Sequence, residues 1–122
     1  MTSQEDVSRF ISSSFRSVWS LELLLLLKQD SRPRSREELV TALRASDLVV
    51  SQALDSLVAA GLATTDADGD ATYMPVSPEV NTLVEKAEEL YASRPDAVRR
   101  MIVASTTSGV AAFADAFRLR KG

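Results

Sequence analysis

Leu23 to Leu27 form an unbroken apolar run, extended upstream by Leu21 and Trp19 and interrupted by Glu22. A membrane-spanning helix needs about 20 predominantly apolar residues. This run is far shorter. It reads as a helix with apolar residues around most of its circumference, which other elements must cover from several sides. A chain of 122 residues can supply that cover within a single domain spanning 1–122, because domains commonly hold roughly 100–150 residues. The polar, acidic start Met1-Thr2-Ser3-Gln4-Glu5-Asp6 lacks the cationic and apolar regions of a signal peptide. The expectation is a cytoplasmic protein with no membrane partner.

The first thirty residues read as helix. Ser3 with Asp6 resembles a capping box. Val7, Phe10, Ile11, Phe15, Val18 and Trp19 recur at spacings of three and four. The stretch is one long helix or two, divided near Ser12-Ser13-Ser14. Pro33 disfavours helix in the residue before it and marks a break. Ser35-Arg36-Glu37-Glu38 has capping-box spacing, with Glu38 reaching back to the cap. The short helix that follows turns Leu39, Val40 and Leu43 inward. Ser46 suits a second N-cap, and Asp47 suits the positive end of a helix dipole. That helix runs to about Ala60, burying Val50, Leu54, Leu57 and Val58, and Gly61 ends it in the left-handed conformation.

Leu62-Ala63-Thr64-Thr65 and Ala71-Thr72-Tyr73-Met74 flank Asp66-Ala67-Asp68-Gly69-Asp70. Two short Thr-rich segments around Asp-Gly predict a β-hairpin, since both residues tolerate positive φ in tight turns. Ser77-Pro78-Glu79 restarts helix with Ser as cap and Pro in the first turn. Val80, Leu83, Val84, Ala87, Leu90 and Tyr91 form its apolar face, and Arg94-Pro95 ends it. A further helix carries Val98, Met101 and Ile102, is interrupted near Thr106-Thr107-Ser108-Gly109, and continues with Val110, Phe113 and Phe117. The fold class is therefore mostly α with one small β-hairpin.

The order short helix, three-residue turn, helix, Gly-Leu and hairpin resembles the winged helix-turn-helix family. The resemblance rests on Ser35 to Leu43, Ala45 to Asp47, Val50-x3-Leu54-x2-Leu57-x3-Gly61-Leu62, and the hairpin carrying Asp68-Gly69. It covers a core at 17–76, about half the chain, with an extra N-terminal helix before it and a C-terminal helical extension at 77–122. Ser17-Val18-Trp19-Ser20 with the leucine run, and Phe113-Ala114-Asp115-Ala116-Phe117-Arg118, are similar to segments of small bacterial proteins of this type without an assigned role. The resemblance implies a non-enzymatic regulator of transcription. It implies that the helix after the turn enters the major groove with its first residues on base edges. On this chain those residues are Asp47, Leu48, Ser51, Gln52 and Asp55.

The distribution of charge complicates that implication. The whole chain carries −3, but residues 45–76 contain Asp47, Asp55, Asp66, Asp68 and Asp70 and no Lys or Arg. DNA presents one negative charge per about 1.7 Å of axis, and basic contacts to its phosphates supply most non-specific affinity. The segment expected to face DNA is thus the most negative of the chain. Arg32, Arg34, Arg36 and Arg44 lie before and within the short helix and are the candidates for phosphate contact, with Ser51 and Gln52 for the bases. Gln52 can pair with adenine through two hydrogen bonds. DNA contact is therefore expected to be weak, indirect or helped by a partner. The alternative is an acidic protein-interaction module that binds no DNA and docks a basic protein through Asp47, Asp55, Asp66, Asp68 and Asp70.

Other chemistries are poorly served. Cys and His are both absent, which removes the usual zinc ligands and the Ser–His–Asp and Cys–His nucleophilic systems. The four glycines have neither phosphate-loop nor dinucleotide spacing. Glu85, Glu88 and Glu89 read as a solvated helix face. Asp66 to Asp70 lacks the Gly and Glu positions of a calcium loop. No enzyme, metal or cofactor is expected. Residues 78–92 and 95–118 read as a helical hairpin, whose apolar residues can be buried on the N-terminal helices or across the two-fold axis of a homodimer. The tail Arg118-Leu119-Arg120-Lys121-Gly122 is basic and suits DNA, RNA, an acidic surface, the acidic segment of a second copy, or a helix C-terminus. If the acidic hairpin docks a basic partner, changing Asp66, Asp68 and Asp70 together to Asn abolishes recovery of that partner in a pull-down. Undiminished recovery would take the hairpin out of the interface.

Overall fold

The computed structural model describes residues 3–30 and 32–105. The expected helix continuation through Val110, Phe113 and Phe117 and the basic tail lie outside the described residues. The described chain is mostly helical with a two-strand antiparallel hairpin.

Helices α1 (Gln4–Ser14) and α2 (Val18–Gln29) are separate and meet at 108°. The break falls just after the serine triplet. Ser17 supplies the reason: its hydroxyl accepts from the Ser20 N–H, and the buried Ser20 hydroxyl donates to the Ser17 carbonyl at 2.6 Å. Phe15 sits at the corner, buried edge-on against Phe10 with ring centroids 5.8 Å apart. The corner therefore satisfies its polar groups locally and fills its interior with an aromatic pair. No single helix among the described residues is long and apolar enough to cross a membrane.

Helix α2 is the axle of the core. Leu21, Leu23, Leu24 and Leu27 are buried, and the helix packs on α3 (Arg36–Leu43), α4 (Asp47–Ala59) and the hairpin. Leu39 of α3 and Val50, Ala53, Leu54 and Leu57 of α4 close over it. Val58, expected inside, is 40% exposed. The buried α4 positions at 50, 53, 54 and 57 form one stripe, and a helix turns 100° per residue, so 58 lies outside that stripe.

Gly61 takes φ +77° and turns the chain from α4 into β1 (Ala63–Thr65), which pairs with β2 (Ala71–Tyr73) in the register Ala63–Tyr73, Thr64–Thr72 and Thr65–Ala71. At the tip only Gly69 has positive φ (+85°); Asp68 does not. The Gly69 N–H donates to the Asp66 carbonyl and the Asp66 N–H to the Asp70 carbonyl, both at 3.0 Å. This is a three-residue loop with glycine in its left-handed position, which needs positive φ at one residue rather than two. A strand-like pairing absent from the sequence-level expectation joins the hairpin on its other side: Arg34 and Ala71 exchange backbone hydrogen bonds at 2.9 and 2.8 Å. The segment before α3 is thereby fixed to the hairpin.

Helix α5 (Pro78–Ser93) starts at the Ser77 cap, and α6 begins at 95 and is described to 105. The Tyr73 hydroxyl donates to Asn81 Oδ1 at 2.6 Å, joining the hairpin to α5. Burial, with Glu85 and Glu88 nearby, pushes that hydroxyl up to about 12. Lys28–Glu88 at 3.0 Å and Tyr91–Glu22 at 2.8 Å tie α5 to α2. Val98 and Ile102 are buried, and the Ser105 hydroxyl donates to the Ser12 carbonyl at 2.9 Å, which sets the end of the described α6 against α1.

The two loop glycines differ in a measurable way. A Cβ on Gly61 would lie 2.6 Å from Val76 Cγ1, whereas one on Gly69 would meet nothing within 4 Å. Gly69→Ala is expected to cost about 1–2 kcal/mol from the left-handed backbone alone. Gly61→Ala costs more, roughly 2–4 kcal/mol, because a steric clash adds to that penalty. Urea unfolding of both variants orders them; equal losses would contradict the packing of Val76 on Gly61.

Candidate nucleic-acid interface

Because α4 buries its 50–54–57 stripe, its opposite side must face outward. Asp47, Leu48, Gln52 and Asp55 are exposed and Ser51 is half-buried. Leu48 is 65% exposed, a large apolar side chain among polar neighbours. The structure thus brings all five residues expected on base edges to the outward side of one helix. Ser46 caps it by accepting from the Val49 N–H at 3.1 Å.

The α3–α4 connection holds Arg44 at φ +54°, the only non-glycine residue with positive φ among the described residues. Its N–H satisfies the α3 C-terminal carbonyls of Thr41 and Val40. The left-handed C-cap is a position that glycine or asparagine usually fills, so the conformation could not be anticipated from an arginine. Arg36 and Arg44 are both exposed and take part in no ion pair among the described residues.

Arg32 and Arg34 are placed otherwise. Arg32 pairs with Asp30 Oδ2 and Glu38 Oε2, both at 3.1 Å, and Arg34 pairs with Asp30 Oδ2 at 2.8 Å. Its side-chain hydrogen bond to Arg32 holds the Glu38 carboxyl below the usual carboxylate range. Glu38 reaches back to its cap residue and also holds Arg32: Ser35 accepts from the Glu38 N–H at 3.2 Å, Glu38 Oε1 accepts from the Ser35 hydroxyl at 3.5 Å, and Oε2 takes the shorter bond from Arg32 at 3.1 Å. A charged partner makes the stronger hydrogen bond. The two arginines are therefore compensated within the fold.

The hairpin acids also separate. Asp66 Oδ1 accepts from the Asp68 and Asp70 N–H groups at 2.9 and 3.0 Å, so this carboxylate builds the turn. Asp68 is exposed, and Asp70 is half-buried. Desolvation first, then the charges of Asp66, Asp68 and Glu38, raises the Asp70 carboxyl above its ordinary value.

A groove of about 330 Å³ was missed by sequence reasoning. Arg16, Ser17 and Trp19 line one side, and Val49, Gln52, Ala53 and Ser56 line the other. Arg16, from the α1–α2 connection, thus shares a groove with Gln52, which has no basic residue on its own helix. Trp19 is 39% exposed here. The available sequence signal was an apolar surface on α2 wider than one packed face requires. Comparison with protein-family models, curated proteins and solved structures finds no match in any of the three.

The raised Asp70 carboxyl makes a prediction of definite sign. A carboxyl with a raised folded-state pKa binds protons more readily in the folded state, so it weakens the fold at neutral pH and ceases to do so as pH falls. Asp70→Asn is expected to raise the melting temperature at pH 7, and the gain disappears on acidification through the carboxylate range. A gain that persists unchanged in acid would contradict the electrostatic cause.

Proposed function

We propose that the chain is a non-enzymatic winged-helix regulator of transcription that makes weak or partner-assisted contact with DNA. In this reading α3, the connection 44–46 and α4 serve as the helix-turn-helix, and the β1–β2 hairpin is the wing. The observation that carries the reading is the outward row of α4, with Gln52 and Arg16 lining one groove. Gln52 and Ser51 contact base edges. Arg16, Arg36 and Arg44 contact phosphates and set the register of the helix on the duplex.

On this reading the affinity for DNA is low. Asp47 and Asp55 flank the base-facing positions, and Asp68 lies exposed on the wing. Like charges near phosphates subtract from the favourable release of counterions. A second reading, an acidic module that docks a basic protein, is favoured by one observation: Leu48 stands 65% exposed between those acids, as an apolar anchor in a charged rim would.

Titrating a labelled mixed-sequence duplex by fluorescence anisotropy, over a range of salt, tests the first reading. Each phosphate contact adds about 0.9 to the slope of log affinity against log salt. Arg36→Ala with Arg44→Ala is therefore expected to lower the slope by about 2 and to weaken all sequences alike. Arg32→Ala leaves the slope unchanged, since that guanidinium is already held by Asp30 and Glu38. Absence of binding at any salt would overturn the reading in favour of the second.

A further inference from the structure

We propose that the groove between the start of α2 and α4 is a binding site for an unpaired adenine nucleotide, with its base stacked on Trp19, the edge of that base on Gln52 and its phosphate on Arg16. Such a site goes beyond the duplex reading, because a closed duplex presents the edges of its bases and hides their faces. It stands whether or not duplex DNA is bound.

Positions 49, 53 and 56 recur at spacings of three and four and form one flank of α4, with Gln52 at its border. A volume of about 330 Å³ lies at the small end for ligand sites, roughly 300–1,000 Å³, and suits one ring system with its phosphate. Trp19 is 39% exposed, and its indole makes no ring contact among the described residues. A half-exposed indole offers a stacking surface that any base can use. Stacking also supplies affinity where cations are few, and α4 carries none. Selection among bases falls to the polar groups.

The serines of the groove are spent on the backbone. Ser17 Oγ accepts from the Ser20 N–H at 3.2 Å, and Ser56 Oγ donates to the Ala53 carbonyl at 2.9 Å. Gln52 is exposed, and its amide enters no hydrogen bond among the described residues. A carboxamide pairs with a donor that stands beside an acceptor. Adenine offers that pair on both edges, its amino group lying next to N7 on one and N1 on the other. Charge then selects for the phosphate. Arg16 lines the groove, and no carboxylate among the described residues does. The hollow between α1 and α5 includes Glu89, and the one on α3 includes Glu37 and Glu38. Of the three, the groove beside Trp19 is the one suited to an anion. A guanidinium has five N–H donors, enough to hold a phosphate beside a further partner.

The chain has one tryptophan, Trp19, so its fluorescence reports the groove in the intact protein. Adenosine monophosphate titrated into the full chain is expected to quench that emission saturably as the base stacks on the indole. Adenosine, which lacks the phosphate, is expected to bind about fivefold more weakly, and Arg16→Ala removes the difference. Gln52→Leu is expected to weaken the mononucleotide about fivefold. Both residues are exposed, and far-UV circular dichroism checks that the variants stay folded. A single oligoadenylate strand separates the two sources of the base. Quenching by the strand alone assigns the base to a strand, and quenching by the mononucleotide assigns a free nucleotide. Pairing the strand with its complement is expected to abolish the quenching, since paired bases have no free face. No saturable quenching by mononucleotide or strand would overturn the proposal, as would quenching that Gln52→Leu leaves unchanged or that survives in the duplex. Duplex binding itself is read by anisotropy, so either reading can fail without the other.

Discussion

Burial of the leucine face of α2 against α4 is the contact on which the rest of this structure depends. Leu21, Leu23, Leu24 and Leu27 are buried, and Val50, Ala53, Leu54 and Leu57 close over them. Loss of a single buried leucine to alanine typically costs about 2–5 kcal/mol, against a total stability of about 5–15 kcal/mol for a domain. No other rotation of α4 keeps its 50–54–57 stripe inside. Once that stripe is buried, Leu48, Gln52 and Asp55 must face out, and the groove beside Trp19 follows from the same packing. The candidate site is thus a geometric consequence of the core.

Much of the architecture was legible because local signals agreed with one another. Ser3, Ser17, Ser35, Ser46 and Ser77 each cap a helix by accepting from an N–H three residues on. Of these, Ser17 was not read as a cap, which is why the division of the first thirty residues stayed open between one helix and two. Gly61 and Gly69 both adopt the left-handed backbone that ends α4 and closes the hairpin. What stayed illegible was long-range. The Arg34–Ala71 bridge joins residues far apart in the chain, and no local pattern announces it. Arg44 at positive φ runs against its own conformational preference, so the residue type gives no sign of the left-handed cap. Glu38 serves its cap residue through Oε1, as its spacing predicts, and Arg32 through Oε2, which no local pattern announces.

The candidate site was legible as positions but not as charges. Sequence order groups Arg32, Arg34, Arg36 and Arg44 as one basic cluster. Folding splits it: Asp30 and Glu38 hold the first two, while the last two stay exposed outside any ion pair among the described residues. The acidic hairpin divides in the same way, since Asp66 spends its carboxylate on backbone N–H groups. Meanwhile Arg16, distant in sequence, lines the same groove as Gln52. The net charge of a segment says little about the field over a surface when half its charges are paired internally and another comes from a connection elsewhere in the chain.

We propose that the outward side of α4 is the working surface and that Arg36, Arg44 and the groove residue Arg16 supply its counter-charge. Mapping backbone amide shifts of the full chain by nuclear magnetic resonance, as a mixed-sequence DNA duplex is added at low salt, tests it most directly. The account predicts that the perturbed amides cluster at Leu48 to Asp55, Arg16 and Arg44. Shifts confined to α5 and α6, or none at all, would contradict it.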